Sequence, residues 1–229
     1  MQLMKNEDWL LLKQSRLFKG IEEREMKHLL LCLQARKKHF EENECILHYG
    51  TKNKQVGILL SGSANITRYD YWGKRHIVTA LLPSDLFGES IAALPDTTLT
   101  VEIEATSNTN VIFLNIENII QTCAASCTYH TQLIQNYVMI LASKNLYLVE
   151  KMRHITQPTL KNKILSYLSS EAMRLHSSHF DIPFDRQELA DYLNADRSAV
   201  SNELSKMKKQ GILDYHKNHF QLLIPDSNP

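Results

Sequence analysis

The sequence predicts an α+β chain with three parts: short strands, one long helix, and a helix-turn-helix closed by a β-hairpin. Three observations predict it. From about Lys37 to Leu114, short apolar stretches alternate with turn residues at strand-like intervals. From about Thr128 to Ile155, apolar residues recur at helical spacing without a breaker. From Asp185 to Gly211, two short helical patterns flank a polar break.

Residues 6–34 are helical in pattern: Leu10, Leu11 and Leu12 precede a break near Phe18-Lys19-Gly20, and Glu22 to Leu33 repeats apolar residues at helical spacing. Strands are expected at 38–40, 45–49, 55–60, 63–69, 75–82, 100–105 and 110–115, with Gly50, Gly62 and Gly73 at turns. Regular short strands of this kind suggest an antiparallel barrel or sandwich. Residues 116–123 read as a short helix.

Within the long helix, Ile134, Val138, Leu141, Asn145, Leu148, Met152 and Ile155 alternate spacings of four and three, a heptad seam about three heptads long. The alternative is a helix packed on its own barrel, which needs only a broader apolar stripe. A two-stranded coiled coil is favoured, because a helix of this length is hard to bury inside so small a domain. A core Asn such as Asn145 fixes register at some cost in stability. Gln157-Pro158 then breaks the chain, since proline suits the first turn of a new helix. The expected domains are 1–127, a strand barrel with N-terminal helices; 128–155, the dimerisation helix; and 156–229, the winged helix-turn-helix. In the last of these, 158–175 is a helix with Ile164, Leu165 and Leu168 inward.

Asp185 and Glu188 form a capping-box pair for the next helix, whose inner face is Leu189, Ala190 and Leu193. Asn194-Ala195-Asp196 makes the break, with Asp196 an N-cap for the second helix. Val200, Leu204 and Met207 recur at one helical face, and Gly211 ends the helix. The opposite face carries Arg197, Ser198, Ser201 and Asn202, hydrogen-bonding groups placed where a recognition helix meets a major groove. The bland alternative is a helical hairpin with a solvated face. Two features favour DNA. Between 197 and 219, Arg197, Lys206, Lys208, Lys209 and Lys217 outnumber Glu203 and Asp214, a local excess of three positive charges. Then 212–215, 216–219 and 220–223 read as strand, turn and strand, a wing that brings Lys217 and His219 near a phosphate backbone.

Composition bounds the rest. The 229 residues are 43% hydrophobic and 22% charged, a soluble globular balance. No membrane-span-length apolar run and no signal peptide are evident, which predicts a cytoplasmic chain without membrane partners. A net charge of +1 makes the basic character local. The four cysteines, Cys32, Cys45, Cys123 and Cys127, form no Cys-x-x-Cys pair and read as small buried hydrophobes.

Leu59-Leu60-Ser61-Gly62-Ser63, Leu82-Pro83-Ser84-Asp85-Leu86-Phe87-Gly88-Glu89-Ser90, Arg186-Gln187-Glu188-Leu189-Ala190 and Asp196-Arg197-Ser198-Ala199-Val200-Ser201 occur in one order. Over nearly its whole length the chain resembles the CRP/FNR superfamily of bacterial transcription regulators. The resemblance implies a double-stranded β-helix (jelly-roll) barrel of the cyclic-nucleotide-binding type. It also implies a homodimer on double-stranded DNA, RNA polymerase as a further partner, and no catalysis. By the same resemblance Gly88, Glu89, Ser90 and Thr100 lie at the effector site, with Asn145 where the dimer helix meets the effector. Cyclic-AMP-binding members carry an arginine for the phosphate where this chain has Leu99. An unpaired buried phosphate is costly, so another signal is expected. The cofactor is left open. The closely spaced N-terminal cysteines of iron–sulfur members are absent, and haem would need one of His39, His48, His76, His130 or His154. At the DNA, the resemblance aligns Ser198, Ser201 and Asn202 with the base-reading positions, with Arg197 just before them. Arg186, Gln187, Lys206 and Lys217 are expected at phosphates. The competing reading, a cupin-like enzyme barrel with a partner-binding module, needs clustered histidines, and the barrel shows no His-x-His pair.

Overall fold

In the computed structural model, which describes residues 4–73, 75–94, 96–121 and 128–223, the chain divides into two compact units, Met1–Ala142 and Ser143–Pro229. The first opens with α1 (Asn6–Gln14), a 3₁₀ turn (Arg16–Phe18) and α2 (Glu23–Cys32). The Glu22 backbone N–H donates to the Glu25 carboxylate at 3.1 Å, which satisfies one of the donors a helix start leaves unpaired. Asp8 of α1 is buried and is held by Lys37 at 2.7 Å.

The strands are β1 (Arg36–Phe40), β2 (Cys45–Leu47), β3 (Gln55–Ser61), β4 (Ala64–Tyr69), β5 (Arg75–Leu81) and β6 (Leu86–Phe87). After the short α3 (Glu89–Ala92) come β7 (Glu102–Ala105) and β8 (Thr109–Asn115). They pair antiparallel into two four-stranded sheets, ordered β1-β8-β3-β6 and β2-β7-β4-β5. This is the antiparallel roll the sequence predicts, built as a sandwich of two sheets. Strand β6 was not expected, because two residues carry no periodicity.

Strand β3 shows why the pattern is locally continuous. Val56, Ile58 and Leu60 alternate onto one face, in the cluster that holds Leu12, Phe18, Met26 and Leu29. Leu59 faces the other way, into the roll interior with Phe40, Ile103, Val111 and Phe113. A strand covered on both faces loses the polar half of its alternation. Gly57 lies in the same strand, under Phe87: a Cβ there would come within 2.2 Å of the ring. The residue is therefore set by close packing.

Next come α4 (Ile116–Ile120) and the long α5 (Thr128–Ile155). Leu133, Tyr137 and Ile140 of α5 are buried in the first unit's core, and Asn136 donates to the carbonyls of Leu17 and Lys19 at 3.0 and 2.8 Å. The unit division at Ala142 and Ser143 falls within this helix. No helix among the described residues is long and apolar enough to cross a membrane.

The second unit contains α6 (Leu160–Leu175), β9 (His179–Asp181), α7 (Arg186–Tyr192), α8 (Arg197–Lys209), β10 (Leu213–His216) and β11 (His219–Leu222). Thr159 caps α6, accepting from the Asn162 N–H at 3.1 Å. The hairpin of β10 and β11 gains β9 as a third strand, which the sequence pattern had not marked.

The reading of the cysteines needs correction. Cys32 is exposed and Cys45 half-buried. Cys32 ends α2 on its outer side, and Cys45 opens a short strand, so neither enters a core. Cys123 and Cys127, and the last residues of the helix expected over 116–123, lie outside the described residues.

Candidate nucleic-acid interface

The capping box is made as expected: the Glu188 N–H donates to Asp185 at 2.8 Å, and the Asp185 N–H to Glu188 at 2.7 Å. Helix α7 ends with Asn194 at φ 50°, a left-handed residue that asparagine tolerates. The Ala195 N–H returns to the Ala190 carbonyl at 2.9 Å, closing the turn. Asp196 stands at the N-cap position of α8 with extended backbone, but its side chain makes no capping bond, unlike the sequence expectation. Its carboxylate instead opens onto the groove it shares with Gln187, Arg197, Ser198 and Ser201. Gly211, at φ 69°, sits just beyond α8, and the following Ile212 N–H reaches the Met207 carbonyl at 3.1 Å. This closure satisfies the last carbonyls of the helix.

Helix α8 therefore has two faces of opposite chemistry. Val200, Leu204 and Met207 are fully buried, packed with Ile164, Leu168 and Leu189. Arg197, Ser198 and Asn202 are exposed and Ser201 half-buried. Beside them, a groove of about 750 Å³ runs between the start of α7, Arg197 and the wing, lined by Arg186, Gln187, Lys217 and His219 and by the carboxylates of Asp181 and Asp185.

The predicted charge excess survives, in a narrower form. Lys206 pairs with Glu203 at 3.5 Å, and Lys208 pairs with Asp214 while lying over the Tyr215 ring. Arg197, Lys209 and Lys217 make no ion pair among the described residues and stay exposed. Lys217 turns the wing at φ 53°. Gln187, expected at a phosphate, donates to Asp191 at 2.9 Å.

Arg186 departs most from its expected place. Its guanidinium is 4.8 Å from the Tyr215 ring centre and 5.2 Å from that of Phe220, and it donates to the Lys217 carbonyl at 2.8 Å. Burial holds its pKa below the usual arginine value. It fixes the wing against α7, because a planar cation can stack on aromatic faces and also bond a carbonyl.

The residues expected at an effector fall into different settings. Gly88 has φ 76° and begins α3; Glu89 is buried at 5% exposure, and Ser90 donates to it at 3.4 Å. Thr100 is exposed, and Leu99 beside it is buried at 1% exposure. Asn145 is exposed on α5 in the second unit. A residue of α5 that does reach this region is Tyr137, whose hydroxyl donates to the Glu89 carbonyl at 2.8 Å. Burial and the Glu89 charge push the Tyr137 phenol up to about 12. It precedes the seam residue Val138 and lies on the helix's inner side, a position the heptad pattern assigned to no role.

Residues 37–126 match the model of the cyclic nucleotide-binding domain, and residues 162–228 that of the Crp-like helix-turn-helix domain. The chain is similar to the transcriptional activator protein FnrL of Cereibacter sphaeroides, with 25% identity over 76% of this chain and 71% of that protein. Among solved structures it is similar to DNR of Pseudomonas aeruginosa at 14% identity, with a TM-score of 0.50 over 99% of this chain and 97% of that one. It is also similar to the c-di-GMP responsive global regulator CLP of Xanthomonas campestris at 15% identity, with a TM-score of 0.50 over 85% and 97%. The two matched domains follow one another along this chain, and the chain belongs to the CRP/FNR family of transcription regulators.

Proposed function

We propose that this regulator acts as a homodimer that reads a palindromic operator with Arg197, Ser198, Ser201 and Asn202 of α8, each wing placing Lys217 at the phosphates. The observation that carries the reading is the division of α8, in which three apolar residues are fully buried while the opposite polar face stands open. Gln187 and Lys206 act as secondary phosphate contacts once released from their intramolecular partners. Arg186 acts through the wing it holds.

The dimer rests on α5. Val138, Leu148 and Met152 of the seam are 56%, 60% and 62% exposed in the single chain, as are Met139 and Leu146 at 65% and 66%. A second copy of the helix would cover this stripe. Two recognition helices related by a two-fold axis then meet half-sites roughly 34 Å apart. In the roll, a buried Leu99 offers no cation to a cyclic phosphate, which supports a signal other than cyclic AMP. That signal would act beside Gly88, Glu89, Ser90, Thr100 and Tyr137, shifting α5 and with it Asn145. Activation of transcription, named for the FnrL relative, would add a contact with RNA polymerase.

Selection from a random duplex pool with the pure protein tests the reading. Enrichment of an inverted repeat with half-sites one helical turn apart is expected. Affinity should fall with salt, with a log–log slope of about −0.9 for each phosphate that a lysine of the dimer neutralises. Enrichment of no sequence, or of single half-sites bound by a monomer, would refute it.

A further inference from the structure

The sheet β2-β7-β4-β5 carries a feature outside the DNA-binding unit. The Cys45 Sγ, a His48 ring nitrogen and a Glu102 carboxylate oxygen lie within 4.8 Å of one another. A strand's strict alternation would separate Cys45 from His48, three residues on, onto opposite faces. The register of β2 against β7 shows how they meet. Cys45 faces Glu104 and Leu47 faces Ile103, so two steps along β2 match one along β7: a bulge.

The bulge has two effects. It lets Ile46 and Leu47 both turn toward the roll interior, where Ile46 is buried and Leu47 packs against Ile103 and its neighbours. It also returns His48 to the outer face, which Cys45 shares with Glu102 and Glu104 of β7. Bulges are devices for re-aiming a side chain, and this one gathers three ligand types on one face.

We propose that Cys45, His48 and Glu102 bind one zinc-type divalent transition-metal ion on the outer face of the roll. A thiolate, an imidazole and a carboxylate form a donor set suited to zinc, and harder cations such as calcium or magnesium would not select it. Metal–ligand bonds of about 2.0–2.3 Å in a tetrahedron set ligand atoms about 3.5 Å apart. Side-chain rotation of half-exposed residues closes the remaining distance. The thiolate and carboxylate charges balance a divalent ion, leaving a fourth position for water or Glu104. The metal would staple the three-residue β2 to β7, two strands held otherwise by a short, irregular ladder.

Cobalt(II) titration of the reduced full-length chain provides the test, because a cobalt–thiolate bond gives a charge-transfer band that carboxylate or imidazole ligands alone do not. One equivalent per chain with that band is expected, displaced by zinc. Cys45→Ser should abolish the band, and His48→Gln and Glu102→Gln should each weaken binding by at least about tenfold. Cys32→Ser, which changes a cysteine outside the cluster, should leave both unchanged. A wild-type chain without the band, or a band that survives Cys45→Ser or disappears with Cys32→Ser or with Cys123→Ser plus Cys127→Ser, would overturn the assignment. Should Cys45→Ser fail to fold by circular dichroism, Glu102→Gln carries the test: unchanged cobalt affinity in that variant rejects the site.

Discussion

Helices α5 and α8 are each half-covered, α5 by the core of the first unit and α8 by that of the second, and what each leaves outside differs in kind. On α8 the inner face is Val200, Leu204 and Met207, and the open face is Arg197, Ser198 and Asn202. On α5 the inner face is Leu133, Tyr137 and Ile140, and the open face carries Val138, Leu148 and Met152. An open polar face with unpaired cations is stable in water and awaits a charged partner. An open apolar face is costly in water and calls for another apolar surface. The comparison separates a surface for nucleic acid from a surface for a second chain, although both helices are amphipathic by sequence.

The largest expected effect breaks the α5 side. Leu148→Glu with Met152→Glu places like charges on the exposed seam, and analytical ultracentrifugation should show a monomer. Operator affinity, measured by fluorescence anisotropy, should fall by well over a hundredfold, because each recognition helix then binds alone. A dimer that persists would show that the open face of α5 does not hold the two chains together.

A pair of truncations sharpens the contrast. Leu204→Ala removes a fully buried side chain and should cost about 2–5 kcal/mol in urea unfolding of the second unit. Leu148→Ala starts from a side chain 60% exposed and should barely move that transition, while raising the dimer dissociation constant. Equal unfolding costs would mean that the open face of α5 is as well covered as the inner face of α8.

Arg197→Ala and Asn202→Ala should each lower affinity for the selected operator by about 1–3 kcal/mol while leaving non-specific binding nearly unchanged. Lys217→Ala should weaken binding to all sequences alike and flatten the salt slope by about 0.9 for each phosphate left without its lysine. If Arg197→Ala behaved like Lys217→Ala, α8 would grip without reading.

The smallest effect concerns pH. His154, 2% exposed at the end of α5, contacts the Tyr167 and Tyr192 rings, and its Nδ1 lies 2.8 Å from the Ser166 hydroxyl. Burial, then the Arg153 charge, holds its pKa below 6.5, while Glu150 and Glu171 pull the other way. The unfolded chain therefore takes up a proton that the folded one resists. Stability of the second unit should be full above pH 6.5 and decline as pH falls below it. His154→Gln should flatten that decline in thermal melts between about pH 7 and 5.5, and an unchanged profile would place the titration elsewhere.

Much of the fold was legible because its signals are local. The Asp185–Glu188 capping box, the Gly211 stop and the inner faces of α7 and α8 follow from short-range spacing, and each is present in the structure. The two-residue β6 and three-residue β9 were not legible, since such strands exist only through their ladder partners. The site divided along the same line. Arg197, Ser198 and Asn202 stand exposed as the helical period requires, but Arg186 turned into the wing because Tyr215 and Phe220, some thirty residues on, offered it two ring faces.

By itself the sequence determined the order of parts, the periodic faces and the sign of local charge, because these depend on residues within a few turns of one another. Tertiary structure alone decided which lysines stay unpaired, that Tyr137 rather than Asn145 reaches the Glu89 carbonyl, and that a bulge brings Cys45 and His48 beside Glu102. Those outcomes depend on partners distant in the chain and on a register shift of one residue, and one-dimensional spacing encodes neither.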